Sequence, residues 1–221
     1  MDRVITVKGK GKASLAPDTI VLSFDIETIM PEYDDTMSLA AKKSQELLNA
    51  IKSLGFEDED LKTTSYEIDT KYESYRDKNN DYKTHFVGYR CDQSMLLEFS
   101  MDFKLLSKIL NKVMRTSIMP RLNIRFTIKD QSAVTNLLLK NATEDALKKA
   151  KILTEASDTT LGDLIAIDYN WSEISLYSRT SYQMLESEIS YSSEPDPEPD
   201  PHIVPDDIEV DDTVTFVWEI K

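Results

Sequence analysis

Near the N-terminus, V-K-G-K-G-K-A-S places Gly9 and Gly11 two apart among Lys8, Lys10 and Lys12. A G-x-G after a strand opens a dinucleotide loop when a helix comes next, because the helix N-terminus holds the pyrophosphate. Here Pro17 and a second strand come next, and no G-K-[ST] is present. The expected role of the glycines is therefore a β-bulge or strand bend. The three lysines read as a basic ladder that protects a sheet edge, with an anion site as the alternative use.

Cys91 is the one cysteine, and a thiolate is a nucleophile. It lies on the apolar face of an expected strand, where burial opposes the thiolate, so a structural role is expected. The two histidines, His85 and His202, have no spacing that brings them to it. His85 is six residues away, about 20 Å along the same strand. Asp25 and Glu27 share the polar side of a strand, and Glu57–Asp60 reads as an acidic turn. Neither arrangement distinguishes a catalytic pair from solvated charge. Tyr66, Tyr72, Tyr75, Tyr82 and Tyr89 fall on one long hairpin, as cross-strand packing pairs or as an interface lining. No G-x-S-x-G, H-E-x-x-H, C-x-x-C or Walker pattern occurs. The expectation is a chain with no catalytic, cofactor-binding or metal-binding residues.

An acidic, proline-rich stretch at 186–207 contains S-S-E-P-D-P-E-P-D-P. Calcium needs six to eight oxygens on a chain that folds back, usually with a glycine at the turn. This stretch has no glycine, and its alternating prolines splay the carboxylates apart. A flexible, solvated loop is expected.

The elements that would position these residues follow from periodicity. Arg3–Val7 reads as a strand. Ile20, Leu22, Phe24 and Ile26 alternate with Ser23, Asp25 and Glu27 within a strand from Thr19 to Met30. Apolar residues from Met37 to Leu54 recur at helical spacing, with Asp34 or Asp35 as the cap and Gly55 as the left-handed stop. Leu61–Tyr75 and Thr84–Phe99 form the hairpin, joined through Asp77–Asp81. Strands this long project beyond a core or carry bulges. A second helix follows Asp102, and Leu122–Ile128 alternates as a strand. Asp130 caps a third helix to about Ser157, with Ala142, Ala146 and Ala150 on its small face. Strands at Ile165–Trp171 and Val214–Ile220 complete the chain. The class is α+β: antiparallel sheets with about three helices on one face, in the order β-β-α-β-β-α-β-α-β-β, around a long central hairpin. A single domain over 1–221 is expected, with two intertwined α/β subdomains as its variant.

Twenty-six Lys and Arg against 40 Asp and Glu give a net charge of −14 over 221 residues. Eleven acids lie between Glu186 and Asp212 with no Lys or Arg among them, so the rest of the chain is close to neutral. Such a balance excludes a general nucleic-acid binder or a surface for anionic membrane. No apolar run reaches the 18 residues of a membrane span. The start M-D-R-V-I-T-V has no apolar leader core, which points to the cytoplasm, or to the periplasm or secretion if a leader has been removed.

The order of short motifs resembles the SIMPL-domain family, which includes the bacterial YggE-like periplasmic proteins. The opening Ile5-Thr6-Val7-Lys8-Gly9-Lys10-Gly11 with Pro17-Asp18 is similar to the family's start. Leu61-Lys62-Thr63-Thr64, with Tyr66 and Tyr72, continues the resemblance, as does Phe86–Cys91. Ala142, Ala146 and Ala150 followed by Leu161-Gly162-Asp163 extend it, and Pro205, Ile208-Glu209-Val210 and Val214-Thr215-Phe216 close it. Cys91 departs from the small residue usual there. The resemblance implies an α+β fold with no recognised catalytic set. It implies links to stress protection, envelope immunogens or signalling complexes, and self-association in several members. The expected function is therefore non-enzymatic: self-assembly as a homo-oligomer or binding of a protein partner, tied to oxidative or envelope stress. The alternatives are a small-molecule or peptide-binding module between the Tyr-rich hairpin and the sheet, and a carboxylate- and metal-dependent enzyme.

Overall fold

Within Thr19–Met30, the alternating residues Ile20, Leu22, Phe24 and Ile26 are buried completely or nearly so, Val21 is buried as well, and Glu27 is exposed. The computed structural model describes residues 3–78, 80–170, 174–184 and 203–221. Its strands are β1 (Val4–Leu15), β2 (Thr19–Met30), β3 (Leu61–Arg76), β4 (Tyr82–Ser100), β5 (Arg121–Thr127), β6 (Leu161–Asp168), β7 (Tyr177–Met184) and β8 (Ile208–Ile220). The helices are α1 (Tyr33–Lys52), α2 (Phe103–Met114) and α3 (Gln131–Ala156). The strands form two sheets, ordered β1-β8-β6 and β3-β4-β2-β5-β7. The α+β class and the expected element order both hold. One strand, β7, is added; its sequence Y-S-R-T-S-Y-Q-M has no apolar alternation to reveal it.

The chain divides into two interleaved units, one of Met1–Asp18, Phe126–Thr180 and Pro205–Lys221, the other of Thr19–Arg125 and Ser181–Val204. In the first, β8 lies between β1 and β6, antiparallel to both. Val7, Val214, Phe216 and Trp218 meet Ala142, Ala146 and Ala150 of α3, with the Phe216 and Trp218 rings stacked at 5.3 Å. Asp130 caps α3 as expected, its Oδ1 accepting from Ala133 N at 3.0 Å.

In the second unit, β4 lies between β3 and β2 in antiparallel register. The side chains that point to α1 include Ile20, Leu22, Phe24 and Ile26 with Phe99, Leu97 and Met95, all buried. Asp102 caps α2 through Leu105 N at 3.0 Å, and Gly55 takes φ +96° after α1, a conformation costly for any residue with a Cβ. The start of α1 differs from expectation. Its N-cap is Glu32, with no side-chain cap bond, and Asp34 and Asp35 stand in the first turn. There they face the positive end of the helix dipole without closing a cap. The hairpin strands carry register shifts at Thr63/Ser65 and Lys71/Tyr72, the bulges that their length implies.

Candidate functional site

Gly9 and Gly11 sit in an unbroken ladder from Val4↔Glu219 to Leu15↔Ile208, so they mark neither bulge nor bend. Their reason is proximity. A Cβ on Gly9 would lie 2.0 Å from the Ala142 carbonyl oxygen, and one on Gly11 would lie 2.0 Å from that of Leu138. The motif is a seat for α3. With the helix so close, its side chains reach the outer edge of β1. Asn141 Nδ2 donates to Lys12 O at 2.8 Å, Lys10 N donates to Asp145 Oδ2 at 2.7 Å, and Lys149 Nζ donates to Lys8 O at 3.2 Å. Four residues of helix advance about 6 Å and two residues of strand about 6.8 Å, so the two repeats stay in step over three contacts. Lys149 and then Lys10 N hold the Asp145 carboxyl below the usual carboxylate range. The helix thus takes the place of a neighbouring strand.

The opposite edge has no such cover. β6 is the outer strand on that side, and none of the described residues pairs with its free edge. α3 packs on β1 and β8 and barely touches β6. Leu164, Ile165 and Ile167 are consequently 48%, 56% and 56% exposed. The alternation of Ile165 and Ile167 foretold a strand but not that these side chains would stand in solvent.

The other sequence candidates fall apart from one another. Cys91 is fully buried, paired with Thr28 on one side and Ile68 on the other. Burial, then the Cys91 thiol, pushes the Tyr66 phenol upward. His85 lies out on the hairpin opposite Glu73, with its ring 5.6 Å from that of Tyr75. His202 and Trp171, and 186–202 of the acidic stretch, lie outside the described residues. Glu57 and Asp60 form a reciprocal capping box around a short 3-10 turn. The three lysines stand on the exposed side of an edge strand, as read. Lys10 Nζ is 3.0 Å from Asp211 and Arg179 is 3.7 Å from Glu209, so in the shallow cleft of about 390 Å³ that these four residues line with Lys12, both acids are paired and one cation is in excess.

The tyrosines form pairs. Tyr33, Tyr89, Phe86 and Tyr72 run edge-to-face in a chain with centroid spacings of 5.5, 5.5 and 5.6 Å. Arg76 lies 4.6 Å over the Tyr82 ring. β3 and β4 are themselves neighbouring strands of the larger sheet, so Tyr66 and Tyr72 belong to that sheet rather than facing it across a groove.

Asp25 and Glu27 line a polar cleft of about 640 Å³ with Lys43, Arg90, Asp92 and Arg121. Periodicity put the two acids on one side of β2, but nothing in the sequence brought Lys43 of α1 or Arg121 of β5 to them.

No described helix is long and apolar enough to cross a membrane. The family profile for SIMPL, a protein of unknown function (DUF541), matches residues 5–218. The 26 kDa periplasmic immunogenic protein of Brucella abortus is 27% identical over 163 residues, 74% of this chain. Its namesake from Brucella melitensis biotype 1 matches equally over the same length. The match spans 65% of each relative, just under two thirds of its length. Neither those names nor the family description states an enzymatic activity. With the profile running through both units from residue 5 to residue 218, this chain belongs to the SIMPL family.

Proposed function

We propose that this protein is a non-enzymatic assembly or binding protein, joining copies of itself or a protein partner through the free edge of β6. The observation that carries this reading is the inequality of the two outer strands in one sheet. An edge strand offers a row of unpaired backbone groups to any chain that can pair with them. Along β1 that row is occupied by α3, whereas along β6 it lies open beside Leu164, Ile165 and Ile167. Strand addition there would bury these side chains while completing the backbone ladder. The profile match over both units supports treating the chain as one functional domain. The periplasmic names of the relatives support a periplasmic setting over the cytoplasmic one, and resemblance to SIMPL proteins supports a part in envelope stress.

The test is light scattering behind size exclusion, over a wide concentration range, on the full chain and on Ile165→Lys and Ile167→Lys. The expected result is a discrete multiple of the chain mass that either lysine reduces to monomer, with unchanged circular dichroism. A chain that stays monomeric at the highest concentration removes self-assembly. Multimers that persist in both variants move the interface away from β6.

A further inference from the structure

The larger sheet has a notch. β5 has seven residues and β2 has twelve, so part of β2 has no β5 partner. Asp18 N donates to Thr127 O at 3.0 Å, which sets the end of β5 beside the start of β2. Among the described residues, the stretch of β2 without a strand partner on that side is its later part. There the Glu27 carbonyl accepts from Lys43 Nζ at 2.7 Å, a side chain standing where a strand would be.

The polar cleft lies along this stretch, and its charges are unevenly satisfied. Arg90 is engaged by Asp92 at 2.9 Å and Asp69 at 3.3 Å. Among the described residues, Asp25 receives only the Ser94 hydroxyl, at 2.6 Å. Lys43 has, among the described residues, only a neutral carbonyl. The Glu27 carboxylate and the Arg121 guanidinium have no partner among the described residues. Two anions and two cations therefore line one cleft without closing on each other. Unit charges at 4 Å attract by roughly 1–4 kcal/mol near a surface. The backbone holds them apart, on β2 for the acids and on α1 and β5 for the bases. Met119, at the same cleft, holds φ +44°, a left-handed conformation uncommon without a glycine and often found at ligand sites.

We infer that this cleft binds a small zwitterion of the α-amino-acid class, free or as a short peptide with both ends uncapped. Asp25 and Glu27 take the ammonium, and Lys43 and Arg121 take the carboxylate. A peptide would in addition meet the open edge of β2. The inference is independent of the β6 interface.

Isothermal titration calorimetry on the full chain tests it, with L-alanine, L-alanyl-L-alanine, the acetylated and amidated dipeptide, sodium acetate and methylammonium as probes. Alanine or the free dipeptide should bind at least about tenfold more tightly than any capped or singly charged probe, one charge-assisted hydrogen bond's worth. Glu27→Gln and Arg121→Gln, both at exposed positions, should each weaken binding by a similar factor with the melting temperature unchanged. Equal binding of alanine and dipeptide assigns a free amino acid, and dipeptide alone assigns a peptide along β2. No heat from either at about 10 mM, a range that reaches the weakest specific sites, overturns the inference. So does binding of the capped dipeptide, acetate or methylammonium equal to that of the free zwitterions, or binding indifferent to both substitutions.

Discussion

β1 and β6 are both outer strands of the same three-stranded sheet, and each has one row of backbone groups that no described strand pairs. Along β1, α3 is seated on Gly9 and Gly11 and turns Asn141, Asp145 and Lys149 onto that row. Along β6, no described element approaches the row, and three large apolar side chains stand in water. The difference comes from where one helix can settle. Small residues let α3 approach β1 to backbone contact, and a helix placed over one edge cannot also cover the far strand. A sheet with one edge closed and the other open can accept a strand on one side alone, whereas two open edges would permit open-ended extension.

The largest loss of stability is expected at the seat of the helix. Gly9→Ala puts a methyl group 2.0 Å from the Ala142 carbonyl oxygen and 2.7 Å from the Ala146 methyl. The loss expected is about 3 kcal/mol, the upper range for overpacking, since backbone rather than a flexible side chain must yield. Urea denaturation followed by far-UV circular dichroism would read it, and a change below a few tenths would show that the contact is not close.

Asp145→Asn should have a smaller effect and one that depends on pH. The carboxylate accepts from Lys10 N and pairs with Lys149 at 2.7 Å. Partial exposure limits the loss to about 1 kcal/mol. Because its pKa is lowered in the fold, its contribution is full above the unfolded value of about 4 and fades as pH falls through the lowered folded value. The gap between wild type and Asp145→Asn should be widest near neutrality and close in acid. A gap that widens on acidification would contradict the assignment. Asn141→Ala, which frees only the Lys12 carbonyl to water, should cost about 0.5 kcal/mol. Faster amide exchange confined to β1 would sharpen the picture of a helix-closed edge.

At the open edge the effect on stability is the smallest. Ile165→Lys places a charge on a position already 56% exposed and should leave the unfolding midpoint within about 0.5 kcal/mol of wild type. Its effect belongs in the assembly state. A loss of more than about 2 kcal/mol would mean that Ile165 supports its own unit and that β6 is less free than its exposure indicates.

Much of the architecture was legible in the chain. The alternation of Ile20, Leu22, Phe24 and Ile26, the spacing that defines α1, the helix placed after Asp102, the Asp130 cap and the Gly55 stop each carry a local signal strong enough to decide an element. β7 carries none, because a polar strand is defined by the partner that pairs with it. Thr127 Oγ1 bonding the Leu176 carbonyl at 2.6 Å, and Ser178 Oγ bonding Asp206 O at 2.7 Å, are long-range contacts without a motif. Glu32 in place of Asp34 or Asp35 as the N-cap of α1 reflects the chain's entry path from β2, which local propensity does not weigh.

The sequence by itself determined the class, the family motifs, the long hairpin and the burial of Cys91, because period, propensity and turn chemistry act over a few neighbouring residues. Tertiary structure alone decided what the glycines are for, which edge is closed and which charges share a cleft. Gly9 meets Ala142, Asp145 meets Lys10, and Arg121 shares a cleft with Glu27 across long sequence separations. Such meetings depend on how sheet and helix pack, and packing is a property of whole surfaces rather than of any window of the chain.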